Sequence, residues 1–414
     1  MPMKWNGLGR GFKAVGVSLA VGLGMSACSR DYTLAYVYVT AATHGTTGQI
    51  NEYAVDYQTG SLTPLAETSI PSGGNNPVSL IASPNGKYLY VINNSAPSSN
   101  VVEFTVGTDG KLYAEKTTPV VQNAAGTVVG SFPTALAIDP SGSFLYVTFT
   151  YQAGFTTANP GPGGVAVYPI SASDGSLGAP VANGSLPYFP VGNNPVGIVV
   201  DPKAGNFVFV IDQEKPANAA SNGVLLAFTS TQGVLTQVVG PVNGGFAAGT
   251  TPAGIAEAPG GRFLYVTDET TNQLYGFTIQ TGGSPLAMKQ SPFNTGSFPL
   301  GVTVDPRGQF VYVANSNSGT LSPFAINQGD GSLSGIAGSG GTSTSTGPTC
   351  VTIEPALGIY LYTSNKADNT VSALQLSGNT GSLTPVQNTP YPTGALPTCA
   401  VSIANGAHAT QIIQ

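Results

Sequence analysis

Short apolar runs separated by turns recur along most of the chain. In the stretch that begins at Phe298, the runs Val302–Val304 and Phe310–Ala314 flank an Asp-Pro-Arg-Gly turn. A second turn and a third run, Thr320–Ile326, follow. β-Branched and aromatic residues in runs of three to seven, punctuated by Asp-Pro, Asn and Gly, are typical of antiparallel strands joined by tight turns. The pattern therefore predicts a four-stranded antiparallel meander.

This unit recurs seven times, and a proline marks the start of the first strand in each copy. By subtraction of their residue numbers, successive prolines lie 47 to 62 residues apart, within or somewhat above the period of a propeller blade. The phrase after the proline also repeats, as VSLIASPNGKYLYVIN from Val78 and TALAIDPSGSFLYVTF from Thr134 illustrate. The chain is therefore predicted to be all-β, a seven-bladed β-propeller of four-stranded antiparallel blades. The marking prolines are Pro77, Pro133, Pro195, Pro252, Pro299, Pro348 and Pro397.

The two ends of the chain are expected to share one blade. Leu34–Thr40 has the character of a second strand, and Gln49–Val55 and the segment after Gly60 supply a third and a fourth. No first strand precedes them, whereas the copy that begins at Pro397 stops after one strand. Pairing the two ends would close the ring and cover exposed strand edges. The pattern leaves open whether Ala409–Ile413 adds a strand or competes with Leu34–Thr40.

The composition favours one large β domain. The 55 Gly and 32 Pro among 414 residues require many turns and leave little room for helices. Hydrophobic residues make up 41% of the chain, which suffices for a large core, so the chain is neither disordered nor collagen-like. A closed ring of seven blades accounts for residues 34–414 as a single domain.

Residues 1–27 are predicted to be an export signal. A basic start precedes the apolar run Ala14–Met25, which is too short to span a bilayer. The following Ser-Ala-Cys resembles the bacterial lipobox, which implies lipidation at Cys28 and a short tether over residues 28–33. Because Met25 replaces the leucine usual in that motif, a plain secretory signal is the alternative. We expect a lipoprotein of the cell envelope, in the periplasm or at the outer membrane, or otherwise a secreted protein.

Removal of this signal would leave an acidic protein. The signal contains three basic residues and no acidic one, so its loss lowers the formal net charge from −6 to −9. Such a surface repels nucleic acid and anionic lipid. We therefore expect no nucleic-acid partner, and a membrane only through the lipid anchor.

The repeated phrases, with their turn residues in register, resemble the YVTN repeats of seven-bladed propellers of the bacterial lactonase family, relatives of the propeller-type 6-phosphogluconolactonases. The resemblance covers roughly residues 34–414. It implies a hydrolase in which water attacks a lactone carbonyl and donors at the mouth of the channel stabilise the oxyanion. One propeller fold serves many functions, so the alternative is a non-catalytic envelope scaffold that binds carbohydrate or protein.

The repeat assigns the loops to two faces. The turns after the first and third strands lie on one side, called the turn face here. The loops after the second strand and before the first strand lie on the other side, called the mouth. Short carboxylates, Pro and Gly favour tight bends, so charged residues of the turn face are expected to be structural. They are Asp139, Asp201, Asp305, Glu354, Arg262 and Arg307.

Candidate catalytic residues are expected at the mouth, where loop length varies. The longest insertions, Tyr151–Gly164 and Asp212–Gly223, follow the second strands of neighbouring blades. A carboxylate cluster there is suited to activating water or to holding a hard cation such as Ca²⁺ through oxygen ligands, with no cofactor otherwise required. Acidic loops that are only solvated are the alternative. The predicted catalytic residues are Asp212, Glu214, Asp268, Glu269 and, across the channel, His44.

Ligand contacts are predicted from Lys366, Asn94 and Asn315, whose amides and amine suit hydroxyl or carbonyl groups. The sequence contains no G-x-S-x-G, H-E-x-x-H or Walker motif. Phosphate recognition favours fixed, multidentate cations, and Arg262 and Arg307 are both expected on the turn face. A phosphosugar lactone is therefore a poor candidate, and another lactone or a carbohydrate is the expected small-molecule partner.

Cys350 and Cys399 occupy the same Thr-Cys position of two neighbouring blades. An oxidising compartment permits a disulfide, but equivalent points on adjacent inner strands are expected about 7 Å apart, the limit for bridged Cα atoms. A bridge and two buried free thiols both remain open at this stage.

Overall fold

The computed structural model describes residues 32–42, 47–67, 69–95, 99–213, 222–336 and 341–406. Regular structure in these residues consists of β-strands, and none of them forms a helix long and apolar enough to cross a membrane. The predicted signal with Cys28 lies outside the described residues, as do His44, Glu214 and Ala409–Ile413.

The described residues form 34 strands in seven antiparallel sheets. The first strands are β1 (Thr33–Ala41), β2 (Thr47–Asp56), β3 (Leu62–Pro64) and β4 (Ile70–Asn75). Next come β5 (Pro77–Ala82), β6 (Tyr88–Asn93), β7 (Asn100–Val106), β8 (Leu112–Pro119), β9 (Val121–Gln122), β10 (Val128–Ile138), β11 (Phe144–Gln152), β12 (Gly164–Pro169) and β13 (Phe189–Pro190). They are followed by β14 (Pro195–Val200), β15 (Phe207–Asp212), β16 (Val224–Thr231), β17 (Val234–Val238), β18 (Phe246–Ala247), β19 (Pro252–Glu257), β20 (Phe263–Asp268), β21 (Gln273–Ile279), β22 (Pro285–Ala287) and β23 (Phe293–Asn294). The last are β24 (Pro299–Val304), β25 (Phe310–Asn315), β26 (Thr320–Ile326), β27 (Leu333–Gly335), β28 (Thr342–Ser343), β29 (Pro348–Ile353), β30 (Tyr360–Asn365), β31 (Thr370–Leu376), β32 (Leu383–Pro385), β33 (Tyr391–Pro392) and β34 (Pro397–Ala404).

The seven sheets are the seven predicted blades. Blade 1 comprises β5–β8, blade 2 β9–β13, blade 3 β14–β18, blade 4 β19–β23, blade 5 β24–β28, blade 6 β29–β33, and blade 7 β34 with β1–β4. The prediction of four strands holds for the positions across six of the blades, and in five of these two short strands share the outermost position. In blade 5, for example, β27 pairs with one end of β26 and β28 with the other. Blade 2 has a fifth position, because β9 pairs with the beginning of β10.

The inner strands β5, β10, β14, β19, β24, β29 and β34 adjoin one another in that order and close a ring. Neighbouring blades cover both faces of every sheet, so the residues of the second strands are buried on both sides and do not alternate between core and solvent. In β20, β25 and β30 every residue is buried. The apolar cores lie between blades and not within them.

The predicted closure by the two ends of the chain is confirmed. β34 is the inner strand of blade 7 and pairs antiparallel with β1, with Tyr36 opposite Ile403 and Tyr38 opposite Val401. β2 continues the sheet beside β1. The ring is therefore closed by backbone hydrogen bonds between segments that are far apart in sequence.

On the turn face, one contact between neighbouring blades is repeated around the whole ring. The glycine in each turn between the third and fourth strands has a positive φ. It lies so close to an aromatic ring of the preceding blade that a β-carbon would come within 3 Å of the ring. The pairs are Tyr36 and Gly110, Tyr88 and Gly175, Phe144 and Gly233, Phe207 and Gly283, Phe263 and Gly331, Phe310 and Gly381, and Tyr360 and Gly60.

A buried tyrosine two residues further along the second strand extends this contact. Tyr265 donates its hydroxyl to Gly331 O at 2.8 Å, and Tyr312 donates to Gly381 O at 2.9 Å. The same bond joins Tyr38, Tyr90 and Tyr362 to the turn glycine of the next blade. In blade 3 the equivalent residue is Phe209, which has no hydroxyl. We call this combination of ring, tyrosine and glycine the turn clasp.

Cys350 and Cys399 form a disulfide between β29 and β34, with their Cα atoms 4.9 Å apart. This spacing is shorter than the 7 Å expected for equivalent points of neighbouring blades. Neighbouring inner strands also lie close together at the equivalent position of blade 4. A β-carbon added at Gly254 would lie 2.1 Å from Leu300 O of the next blade, which shows that the inner strands converge at this level. The bridge thus joins blade 6 to the inner strand of the closing blade.

Candidate functional site at the channel mouth

The mouth is built where the second strands pair with the marking prolines, and in every blade except blade 2 the second strand ends at this pair. In blades 3 and 4, Asp212 lies opposite Pro195 and Asp268 opposite Pro252. In blades 1, 5 and 6, asparagines occupy the same position. All five polar side chains at this position are fully buried; they are Asn93, Asp212, Asp268, Asn315 and Asn365.

Asp212 and Asp268 do not lie on the exposed part of the mouth, where the sequence placed them. Asp212 accepts the backbone N–H of Asn194 at 3.1 Å. Asp268 accepts the N–H of Thr270 at 2.9 Å, the N–H of Thr271 at 3.1 Å and, through its other oxygen, the N–H of Thr250. Buried carboxylates that accept backbone donors fix loops. These two hold the connectors at the rim of the channel.

The predicted ligand contacts of Asn315 and Asn94 are also engaged within the protein. Asn315 accepts Gly296 N–H at 3.1 Å and donates to Ser322 Oγ at 2.9 Å. Asn94 donates from Nδ2 to Pro133 O of the next blade at 2.8 Å, and Gln213 makes the equivalent bond to Pro252 O at 3.0 Å. The side chains of Asn94 and Gln213 therefore join neighbouring blades.

The residue that follows the one paired with the marking proline belongs to a ring around the mouth. In six blades its N–H donates to the carbonyl of the residue just before the marking proline, as Ser316 does to Phe298 O at 2.9 Å and Lys366 to Gly347 O at 2.8 Å. The backbone is thus the same around the ring, whereas the side chains differ. The seven residues, called the mouth ring here, are Ala42, Asn94, Thr150, Gln213, Glu269, Ser316 and Lys366.

Glu269 and Lys366 are the charged members of the mouth ring. Glu269 is half-buried in blade 4, and Lys366 is exposed in blade 6, with blade 5 between them. An acid and a base are therefore both present at the rim. The acidic pair predicted for blade 3 is Asp212 and Glu214. It cannot be compared with the pair in blade 4, since Glu214 lies outside the described residues.

The charged turn-face residues are placed as predicted. The guanidinium of Arg307 donates from Nε to Asp305 Oδ2 at 2.9 Å, and that of Arg262 donates to the carbonyls of Gln328 and Gly329 in the next blade. Both described arginines are therefore on the face opposite the mouth. Among the described residues, no group of three or more His, Cys, Asp or Glu side chains comes together as a metal site.

Sequence reasoning missed the residues that directly precede the marking prolines. Phe132, Phe298 and Leu396 have φ values of 59°, 58° and 54°, in the left-handed region that large side chains rarely adopt. Phe132 stacks edge to face on Tyr151, with ring centroids 5.5 Å apart. A large apolar residue immediately before the repeated proline was a visible signal, but the repeat does not reveal its φ.

Sequence reasoning also missed Glu257 at the end of β19. Both of its side-chain oxygens are buried with no hydrogen-bond partner among the described residues. Burial, and secondarily the charge of Asp201, raises the pKa of Glu257 to about 8. The equivalent residues in blades 3 and 5 are Val200 and Val304. The carboxyl therefore occupies a packing position between blades 3 and 4, near the turn face.

The fold and the mouth define a closed seven-bladed propeller with a polar rim around its channel. The chain matches the family described as Lactonase, 7-bladed beta-propeller, over residues 36–212 and 221–353, and it belongs to that family. A search of curated proteins found no match.

Solved structures share the fold at low identity. A putative 6-phosphogluconolactonase from Bacteroides fragilis is 18% identical, with 91% of this chain and 99% of that chain covered and a TM-score of 0.70. The periplasmic gluconolactonase of Pseudomonas aeruginosa is 19% identical, with 90% and 99% covered and a TM-score of 0.69. At such identities the likeness concerns the fold.

Proposed function

We propose that this propeller hydrolyses a neutral lactone at the channel mouth, with Glu269 as the general base and Lys366 as the donor to the developing oxyanion. The observation that supports this most directly is the mouth ring, in which the side chains with acid–base capacity are one carboxylate and one ammonium. Membership in the lactonase family and the names of its structural neighbours favour the same reaction class.

The reaction needs few groups. Glu269 takes a proton from water as the water oxygen bonds to the lactone carbonyl carbon, and Lys366 stabilises the negative charge that forms on the carbonyl oxygen. The tetrahedral centre then breaks the ring C–O bond. The leaving alkoxide takes the proton held by Glu269, which yields a hydroxy acid. We propose that no cofactor is required, although an added divalent cation such as Ca²⁺ remains to be tested.

The charges favour a neutral substrate over a phosphorylated one. Recognition of phosphate relies on fixed, multidentate cations, and the described arginines lie on the turn face. Lys366 is a single exposed ammonium on a flexible stem. We also propose that the protein acts after export, as the N-terminal sequence and the periplasmic relative suggest.

Acid release from purified protein tests this function. γ-Butyrolactone, glucono-δ-lactone and its 6-phosphate would be compared, each with EDTA and with added Ca²⁺. We expect hydrolysis of the neutral lactones, and about a 100-fold loss of kcat/KM in Glu269→Gln, since general-base catalysis typically contributes that much or more.

Asp330→Asn is the matched control, because it changes an exposed carboxylate of the turn face. It should leave the rate unchanged. Full activity in Glu269→Gln would place the site elsewhere, and no hydrolysis of any lactone would favour the non-catalytic scaffold.

A further inference from the structure

Three apolar residues at the mouth adopt an unfavourable backbone conformation. Phe132, Phe298 and Leu396 each have a φ between 54° and 59°, and each directly precedes a proline. A left-handed conformation costs a residue with a β-carbon free energy, and a following proline restricts it further toward extended conformations. Asn76 and Gly347, types that tolerate positive φ, fill the equivalent position in blades 1 and 6. The backbone conformation at this position therefore does not favour residues with large side chains.

Neighbouring residues hold two of these backbones in place. Phe298 N–H donates to Asn272 Oδ1 of the preceding blade at 2.8 Å, and Leu396 N–H donates to Asn369 Oδ1 at 2.7 Å. The carbonyls of both residues accept mouth-ring amides, from Ser316 and Ala42. Each strained residue is thus bonded on both sides to the rim of the channel. Outliers held in this way are characteristic of functional sites.

The strained residues do not serve the interior packing. All three are partly exposed, and none belongs to the described apolar cores between blades. Phe298 of blade 5 and Leu396 of blade 7 lie in the two blades on either side of Lys366 in blade 6. The blade that carries Lys366 therefore has one of these apolar residues at the mouth of each neighbouring blade.

We propose that the mouth selects lactones with a hydrocarbon substituent, and that Phe298 and Leu396 are the specificity-determining residues that contact it. This inference rests on the proposed lactone hydrolysis. Polyhydroxylated sugar lactones would bury hydroxyl groups against these side chains and lose hydrogen bonds with water. An alkyl chain would instead gain free energy with each methylene removed from water.

The test compares γ-lactones that differ only in the length of the side chain. γ-Valerolactone, γ-hexalactone and γ-nonalactone should show kcat/KM rising by about three- to fourfold for each methylene that becomes buried. In Phe298→Asn and Leu396→Asn this dependence on chain length should flatten. Asparagine is the residue at this position in blade 1 and tolerates positive φ, so the variants should fold.

Leu286→Asn is the matched control, since it replaces an apolar side chain that is 57% exposed on the outer strand β22. It should retain the full chain-length dependence. Hydrolysis with equal kcat/KM along the series would overturn the hydrocarbon preference and leave the lactonase function standing. A preference that persists in both asparagine variants would overturn the assignment of the residues.

Binding of unreactive analogues separates recognition from catalysis. Calorimetry would compare 2-pyrrolidinone with 5-pentyl-2-pyrrolidinone, lactams that resemble the substrates but resist hydrolysis. Tighter binding of the pentyl compound by the natural protein, weakened in Phe298→Asn, supports the apolar site even if no lactone is hydrolysed. In that case the proposed function fails alone. Equal affinity for the two lactams contradicts the inference.

Discussion

The turn face and the mouth are built by the same seven blades, yet they use side chains in opposite ways. On the turn face, the turn clasp repeats an aromatic ring against a glycine in every blade. At the mouth, one backbone hydrogen bond repeats around most of the ring while the side chains change from alanine to asparagine, glutamine, glutamate and lysine. The aromatic contact on the turn face joins neighbouring blades, whereas the repeated backbone bond at the mouth links the second strand of a blade to the connector before its first strand. Because this repeated bond is made by the backbone, the side chains of the mouth ring can vary for recognition.

The two faces also differ in hydrogen bonding and in backbone strain. Turn-face carboxylates such as Asp305 and Glu354 are fully buried and accept several backbone donors each. The mouth contains Phe132, Phe298 and Leu396 with positive φ. A strained residue persists only where the surrounding structure determines its conformation. We therefore expect the turn face to contribute more to the free energy of unfolding than the mouth does.

The disulfide gives the largest expected effect, because it is the covalent link between blades near the mouth. Replacing Cys350 and Cys399 together with alanine, the residue at the same position in blade 2, should lower the free energy of unfolding by about 4 kcal/mol. The reason is that the bridge closes a loop of 49 residues, which restricts the unfolded chain. Urea unfolding of oxidised protein would measure the loss.

Reduction of the natural protein provides the control for this pair. It should lower stability by a similar amount, and it should have no effect on the double variant. Two titratable thiols in denatured, non-reduced protein would instead show that the bridge does not form.

Asp305→Ala tests the turn face and should cost about 3 kcal/mol. Asp305 accepts the N–H groups of Gln309 and Phe310 at 2.6 and 2.7 Å and pairs with Arg307. Its removal leaves the buried Phe310 N–H without a partner and an arginine uncompensated. Lactone hydrolysis per folded molecule should be unchanged, because the site is on the opposite face. Urea unfolding and acid release would be measured on the same preparation.

The exposed Asp330 of the same blade is the control. Asp330→Ala removes only local bonds to Ser332 in a solvated turn, so its effect on unfolding should be much smaller. A loss of activity in Asp305→Ala without a loss of stability would contradict the separation of the two faces.

The fold was predictable from the sequence because its signals are local and repeated. A proline, a tight turn and two apolar runs recur in register, and the lone strand at Pro397 required a partner at the other end of the chain. The split outermost strands were not predicted, since segments such as Thr342–Ser343 are too short to show a period. The disulfide was left open because the convergence of the inner strands depends on the packing of glycines in neighbouring blades.

The candidate site was much less predictable. The register that places Asp212 and Asp268 at the ends of second strands was correct, but it does not tell whether a carboxylate faces solvent or the connector behind it. Glu269 and Lys366 did come from the sequence, and their catalytic and binding roles stay predictions. Phe298 and Leu396 were missed because positive φ at a large residue before proline contradicts local preference.

The smallest expected effect concerns Glu257, next to a turn where blade 4 departs from the neighbouring blades. In blade 4 the turn begins with Ala258 where blades 2, 3 and 5 have aspartate, and the acid lies one residue earlier. Successive residues of a strand point to opposite faces, so Glu257 faces the packing position filled by Val200 and Val304 in other blades. Its carboxyl is consequently buried without a hydrogen bond.

Glu257→Val should therefore stabilise the protein at alkaline pH. Burial raises the pKa of Glu257 from 4.5 to about 8 in the folded protein, so unfolding releases a proton between these values and the natural protein loses stability as pH rises through this window. The full shift would amount to more than 4 kcal/mol at 1.36 kcal/mol per unit. Relaxation and water penetration reduce such penalties, and we expect a gain of about 2 kcal/mol at pH 8. Below pH 4.5 both states are protonated, and the gain should shrink to the packing difference alone. Urea unfolding of both proteins across this pH range would measure it, with Glu67→Val, at an exposed position, as the control. A gain that does not depend on pH would mean that Glu257 is ionised and paired in the folded state.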